Sequence, residues 1–355
     1  MRKSFYILPC IITTVILFIS CDHKELCYKY PRTAEVWIDV DWSKFSQYEI
    51  PTGMTLILYP QSLNGNAVTH LTNTTSHAIL SLPVSRYHLL VFNQSITEFG
   101  SISFRGLDKM ETAEVFATEY QSRWYTSRNE NEKVVSSIEW LGVGNSSDAE
   151  VTQEMVDAGT EAMLRAGTSS SQPVIASLTP VNVIKTVDVK LHISGIQNLR
   201  SARASLNGMA EGYHLTTLQP TNGKVTHLME SWSMKRDAAD PTKGILETSF
   251  TCFGFPNGHQ GQAEENLLSV SFLLVDNKTI QDYSFQVGDL FVSDDVVGSN
   301  AREVGLNHET INFTIKLDLD THITLPDVKP EGSASGGFQA TVDDWGDEEE
   351  YELNI

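Results

Sequence analysis

Cysteine is scarce, with 4 in 355 residues. That excludes a dense disulfide scaffold. Positive charge is also in deficit: 25 Lys and Arg face 45 Asp and Glu, for a formal net charge of −20. Binding driven by phosphate counterion release needs the opposite balance, so nucleic acid is excluded as the expected partner. The 10 histidines are scattered, with no His-Glu-x-x-His pair and no close His/Cys set. A zinc site needs three or four converging ligands, and the spacing offers none. There is no Gly-x-Ser-x-Gly elbow, no Walker loop and no Gly-x-Gly-x-x-Gly phosphate cradle. No short tandem repeat is visible, which argues against solenoids and propellers. The expectation is a protein without catalytic residues, cofactor or metal.

Long apolar runs are likewise lacking after the first twenty residues. Arg2 and Lys3 open the chain, and Phe5 to Ile19 follow as a run broken only by Pro9, Thr13 and Thr14. The run is shorter than the roughly 18–20 residues that a membrane-spanning helix needs, and it fits the core of a secretory signal. It ends in Leu17-Phe18-Ile19-Ser20-Cys21. A small residue before cysteine resembles a bacterial lipobox, although leucine is commoner than Phe18 at its place. Residues 1–20 are then a lipoprotein signal peptide, Cys21 carries lipid, and residues 21–31 form a tether to the outer membrane. Buried acyl chains gain about 0.8 kcal/mol per CH₂, so several together hold a protein stably. Cys27 and Cys252 remain as thiols. They either form one long-range disulfide, worth about 4–5 kcal/mol by chain entropy, or stay as separate inert thiols.

What fills the rest of the chain is short strands divided by Gly, Asn, Pro and Ser. In Val187-Asp188-Val189-Lys190-Leu191-His192-Ile193 the odd positions are apolar, and again in Ile311-Asn312-Phe313-Thr314-Ile315-Lys316-Leu317. That period places one face on a core and the other in water. Met54 to Tyr59 is instead a compact apolar run. Repeated short strands of this kind predict an all-β protein of sandwiches. One short helix is expected near 149–165. Ser147-Asp148-Ala149-Glu150 fits a capping box before Val151, Met155, Ala158 and Ala162, which recur at helical spacing. Two domains are expected, residues 32–175 and 176–355. The alternation of Phe338, Ala340 and Val342, and of Tyr351, Leu353 and Ile355, predicts a closing hairpin turned at Trp345-Gly346-Asp347.

Carboxylate pairs two residues apart, Asp39/Asp41 and Asp318/Asp320, share a strand face. Such a pair suits calcium binding or glycoside hydrolysis. In an acidic β-protein, solvated faces account for them better. Trp37, Trp42, Trp124, Trp140, Trp232 and Trp345 offer material for a sugar-stacking platform, though core packing is the commoner use of tryptophan.

Three stretches resemble one family. Cys21-Asp22-His23-Lys24-Glu25-Leu26-Cys27 with a first strand ending Asp41-Trp42, the stretch Ile193-Ser194-Gly195-Ile196-Gln197-Asn198-Leu199, and the closing Gly336-Gly337-Phe338-Gln339-Ala340-Thr341-Val342-Asp343-Asp344-Trp345 are similar to the Bacteroides fimbrillin-like lipoproteins. These are usually described as anchor-type fimbrial subunits. The resemblance implies two tandem transthyretin-like Greek-key β-sandwiches. It implies a surface role in anchoring or decorating a pilus, or in adhesion, through strand pairing with other fimbrial subunits. It carries over no catalytic residue, and Cys21 is the functional position transferred. Stalk subunits of this kind are thought to lose an N-terminal strand by cleavage after a basic residue. The stretch between Cys21 and Arg32 is too short to hold a removable strand, and a strand from Val36 could be removed only by a cut further on. There Lys44 is the only Lys or Arg before Arg86, so an uncleaved, lipid-held subunit is expected here. The alternative from another class is a glycan-binding surface lipoprotein associated with polysaccharide capture.

Overall fold

The computed structural model describes residues 33–45, 51–61, 66–164, 172–293 and 314–330. The first strand, β1 (Thr33–Val40), forms because Ala34, Val36, Ile38 and Val40 alternate with Glu35, Trp37 and Asp39, and the first set is buried. It is followed by β2 (Met54–Pro60), β3 (Val68–Thr72), β4 (His77–Pro83) and β5 (Ser85–Asn93). Next come the short β6 (Ile102–Arg105), β7 (Glu114–Ala117) and β8 (Val134–Val135), then β9 (Gly142–Val151). The helix α1 (Gln153–Leu164) precedes β10 (Val174–Leu178) and β11 (Val181–Asn182). The second half contains β12 (Lys185–Ser194), β13 (Leu199–Ala210), β14 (Gly212–His214), β15 (Gln219–Pro220), β16 (Lys224–Met229), β17 (Ser233–Arg236) and β18 (Lys243–Cys252). It ends with β19 (Leu267–Leu274), β20 (Ile280–Gln286), β21 (Val292–Ser293) and β22 (Thr314–Thr324).

The expected all-β sandwiches are present. In the first, the three-stranded sheet β10-β1-β4 faces the five-stranded sheet β11-β9-β5-β2-β3. Val36, Ile38, Leu56, Leu58, Leu89 and Val91 fill the space between them. In the second, β17-β18-β12-β22-β21 faces β20-β19-β13-β16-β8 over Val189, Leu191, Leu206, Val270, Phe272 and Leu317. β1 pairs with β10 and β12 with β22 in parallel, directions that the alternation of side chains does not encode. The expected division at residues 175 and 176 falls inside β10, which pairs with β1, while β11 pairs with β9. The expected closing hairpin lies outside the described residues.

A third core explains the apolar run at Met54 to Tyr59. Met54, Leu56 and Leu58 of β2 point into the first sandwich, whereas Ile57 and Tyr59 point the other way. There they meet the four-stranded sheet β15-β14-β7-β6, together with Ala210, Leu215, Val225 and Phe253 from the second half. A sheet covered on both faces reads as a continuous hydrophobic run rather than an alternation. This core is built from both halves of the chain. The halves also exchange strands: β14 pairs with β7, and β8 pairs in parallel with β16. The Asn145 side-chain amide donates to the Leu215 and Thr216 carbonyls at 2.9 and 3.0 Å across the same junction.

The helix begins later than its expected cap. Ser147 and Glu150 belong to β9, which pairs with β5 as far as Ser85↔Val151 and buries Ala149 and Val151. Glu150 therefore stays in the strand, 3.3 Å from Arg86. Strand pairing with two buried side chains outweighs a local capping box. The cap falls to Thr152, whose hydroxyl accepts from the Met155 N–H at 3.4 Å.

In the stretch Ile193 to Leu199, Gly195 has a chemical reason. Its φ is +75°, and a Cβ there would come within 2.4 Å of the Leu325 carbonyl oxygen. Leu325 in turn donates its N–H to the Ser194 carbonyl at 2.9 Å, tying the end of β22 to the end of β12.

Candidate functional site

Open sheets meet partners at their edge strands, because an edge leaves backbone N–H and C=O groups unpaired. The edges here differ in how they are guarded. β17 is exposed throughout and carries Lys235 and Arg236, charges that discourage casual pairing. β3 is uncharged, with Val68 and Leu71 about half exposed at 49% and 56%. Among the described residues, the edge of β22 combines a stretch of unpaired backbone with a cleft of mixed apolar and polar lining.

One side of β22 is fully used, paired with β12 from Thr186↔Thr314 to Ser194↔Thr324. On the other side, β21 reaches only Ile315 and Lys316. From Leu317 onward no second strand pairs with β22 among the described residues. Across the gap stands β20, the outer strand of the opposing sheet. A cavity of about 610 Å³ opens between them, lined by Leu267, Phe285, Leu290, Leu319 and Asp320 among others. The alternation in β22 turns Leu317 and Leu319 inward and Asp318 and Asp320 outward; Leu317 is sealed in the core, and Leu319 reaches the cleft. A bulge ends the open stretch: His322 has φ of +50°, and Thr321 bonds back to the His192 carbonyl at 2.7 Å. The arrangement can accept an extended segment, whose backbone would bond to β22 and whose alternate side chains would enter the slot.

Sequence-selected residues fall elsewhere. Cys21 and Cys27 lie outside the described residues. Cys252 is a free cysteine sealed in the second sandwich, and burial pushes its thiol up to about 12. Asp39 and Asp41 do not act as a pair. Asp41 follows β1 and accepts from the Ser43 N–H and hydroxyl, each at 2.9 Å, which holds its carboxyl below the ordinary range. On β22, Asp318 bonds His192 at 2.8 Å and Asp320 lies 3.7 Å from His322, so both sit on a solvated face. No group of three or more His, Cys, Asp or Glu side chains among the described residues is placed to hold a metal.

The tryptophans are dispersed. Trp37 stacks on His77 with ring centres 4.6 Å apart, and Trp42 donates to the Thr75 carbonyl at 2.9 Å. Trp124 lies beneath the Arg203 guanidinium at 5.6 Å, and Trp140 packs against the shared core. Trp232 packs against the second sandwich, and Trp345 lies outside the described residues. The cleft residues Leu267, Phe285 and Leu290 were not candidates from sequence, since their signal is ordinary strand alternation.

Two β-sandwiches joined through a shared core, with a strand edge unpaired among the described residues beside a cleft, define the class of the fold: an all-β, two-sandwich protein. Residues 20–230 match the family described as "Domain of unknown function (DUF5119)", and the chain belongs to that family. A Bacteroides ovatus protein provisionally named fimbrium anchoring subunit Fim4B is 21% identical over 368 residues, covering 100% of both chains. The crystal structure of a protein provisionally described as an adhesin, also from Bacteroides ovatus, has a TM-score of 0.55 at 17% identity, covering 87% of this chain and 98% of that one. The fimbrial anchor protein Mfa2 from Porphyromonas gingivalis gives 0.45 at 12% identity, covering 80% of this chain and 90% of that one. The resemblance to fimbrillin-like lipoproteins seen in the sequence agrees with the Fim4B relative.

Proposed function

We propose that this protein is a lipid-anchored subunit of the bacterial surface that holds or decorates a fimbrium, accepting an extended strand of a neighbouring subunit along β22. The observation that carries this reading is the edge of β22 from Leu317 onward, unpaired among the described residues and lying beside the cleft that Phe285 and Leu319 line. The Bacteroides ovatus relative named for anchoring a fimbrium supports the assignment over the full chain length. At the other end, the apolar run stopping at Ser20-Cys21 supports a lipid on Cys21 and a place in the outer membrane. The stretch from Cys21 to Arg32 is too short to supply a removable strand, and Lys44 is the only Lys or Arg between Val36 and Arg86, which supports an uncleaved subunit that keeps β1.

The test uses native cells. A photo-crosslinking residue replaces Leu290, which is 45% exposed at the mouth of the cleft. The expected product is an adduct with a homologous fimbrial subunit, lost when Leu319, in the cleft, is changed to Arg. Cys21→Ala should release the protein from the membrane fraction. Adducts absent at Leu290 but present at the β3 edge would overturn the assignment of the edge. Membrane retention of Cys21→Ala would overturn the anchor.

A further inference from the structure

The second sandwich has another opening, built from different chemistry. On the far side of its sheet from β22, β17 covers β18 only over Gly244 to Glu247. Beyond that, Ile138 donates its N–H to the Thr251 carbonyl at 3.3 Å and accepts from the Thr251 hydroxyl at 2.5 Å. Between these closures Thr248, Ser249 and Phe250 line a groove. Two adjoining cavities make it up, of about 620 and 250 Å³, and both are lined by Ser231, Thr248 and Ser249. Either is within or near the roughly 300–1,000 Å³ of small-molecule sites.

The lining is rich in hydroxyls and ends in aromatics. Ser136, Ser137, Ser231, Ser233, Thr248 and Ser249 line it with six hydroxyl groups; those of Thr248, Ser233 and Ser136 donate to the Ser231, Glu247 and Ser137 carbonyls and keep their lone pairs as acceptors. Trp232 lines the larger cavity, and Tyr120, 39% exposed, lines the smaller. Trp232 is held in place, because it packs on the sandwich core and its indole N–H donates to the Met229 carbonyl at 3.3 Å. Of the acids in the lining, Glu247 bonds Lys235 and lies 3.3 Å from Lys190, Glu230 accepts from the Trp124 indole N–H, and Asp188 adds a third carboxylate. The groove thus offers a fixed aromatic face, hydroxyl groups and an acidic balance that disfavours an anionic ligand. A polypeptide strand suits it poorly, since the opening in β18 is three residues long between closed ends, and typical strands run about 5–6 residues. We propose that this groove binds a neutral oligosaccharide chain, with a sugar C–H face on Trp232 and sugar hydroxyls exchanged among the Ser and Thr side chains. The site is separate from the β22 edge and does not rest on the strand-pairing reading.

The experiment is an array of neutral gluco-, manno-, galacto- and xylo-oligosaccharides, with uronic-acid oligosaccharides beside them, probed with the full mature chain. The expected result is binding to at least one neutral series. Ser249→Arg should weaken that binding at least tenfold. Ser249 is exposed on a sheet face, so this variant blocks the groove without touching the core. Trp232→Phe, which keeps a ring against the core, should weaken it by a smaller factor. Urea midpoints of both variants matching the parent would show that folding is intact and make the losses specific. The proposal is overturned if no neutral series binds, if only uronic acids bind, or if Ser249→Arg binds as well as the parent. Crosslinking at Leu290 reads the other site, so failure of one proposal is distinguishable from failure of the other.

Discussion

His227, in β16, is a histidine buried without a charge partner. It is 1% exposed, neither ring nitrogen has a hydrogen-bond partner, and the ring lies 4.8 Å from that of Phe250. The reason is that His227 shares the inward face of β16 with Val225 and Met229, both buried in cores, while β8 and Lys133 of the first half close the strand's edge. Burial pushes the imidazole down to about 3, against a weak opposing pull from the Ser136 backbone. The ring is therefore neutral in the folded protein, while the unfolded chain takes up a proton near pH 6.5. Stability is full above that pH and falls as pH drops toward the folded value, by at most about 1.4 kcal/mol per pH unit. Carboxylates held low, such as Glu132 and Asp276, act in the same direction but only nearer pH 4. Urea midpoints measured from pH 7 to pH 5 should decline in the parent and decline less in His227→Leu. Equal slopes would show that the imidazole is not the group responsible.

At the level of elements, much of the strand content was legible. The alternation in β12 and β22 gave their faces, and the apolar run at β2 gave a strand. Pairing order was not legible, because a period of two is the same for parallel and antiparallel neighbours. Nor was the open edge: Leu317 and Leu319 were visible as core residues, but nothing local says that β21 stops covering β22 at Lys316. The two-residue strands β8, β11, β15 and β21 were too short for any periodicity. The start of α1 is the clearest conflict between local and tertiary signals. Thr152→Ala should cost about 1 kcal/mol, as loss of an N-cap typically does, while Ser147→Ala should stay within about 0.5 kcal/mol. Chemical denaturation of the two variants measures both, and the reverse ranking would restore the capping box.

At the level of the whole molecule, the expected two domains of similar length are joined by a third core that draws on both halves. Phe253 and Val225 pack in the same cluster as Ile57 and Phe92, and β8 and β14 each complete a sheet belonging to the other half. Splitting the chain would expose these faces and leave strand edges unpaired. Residues 33–183 and 184–330 expressed separately should each fail to give a cooperative transition, whereas the whole chain should melt in a single one. Calorimetry tests this by comparing the van't Hoff and calorimetric enthalpies. Two independent transitions in the whole chain would mean that the shared core contributes little.

The position of β1 carries a mechanical consequence. A lipid on Cys21 would pull on the chain just ahead of Thr33, and β1 is the central strand of its sheet, with β4 on one side and β10 on the other. Tension along its axis would load the rungs from Thr33↔Pro83 to Asp39↔His77 in shear, together with those to β10, instead of peeling them one at a time. Under flow the bond between cell and fibre would then last as long as the fold's forced unfolding allows, a matter of rate rather than of equilibrium stability.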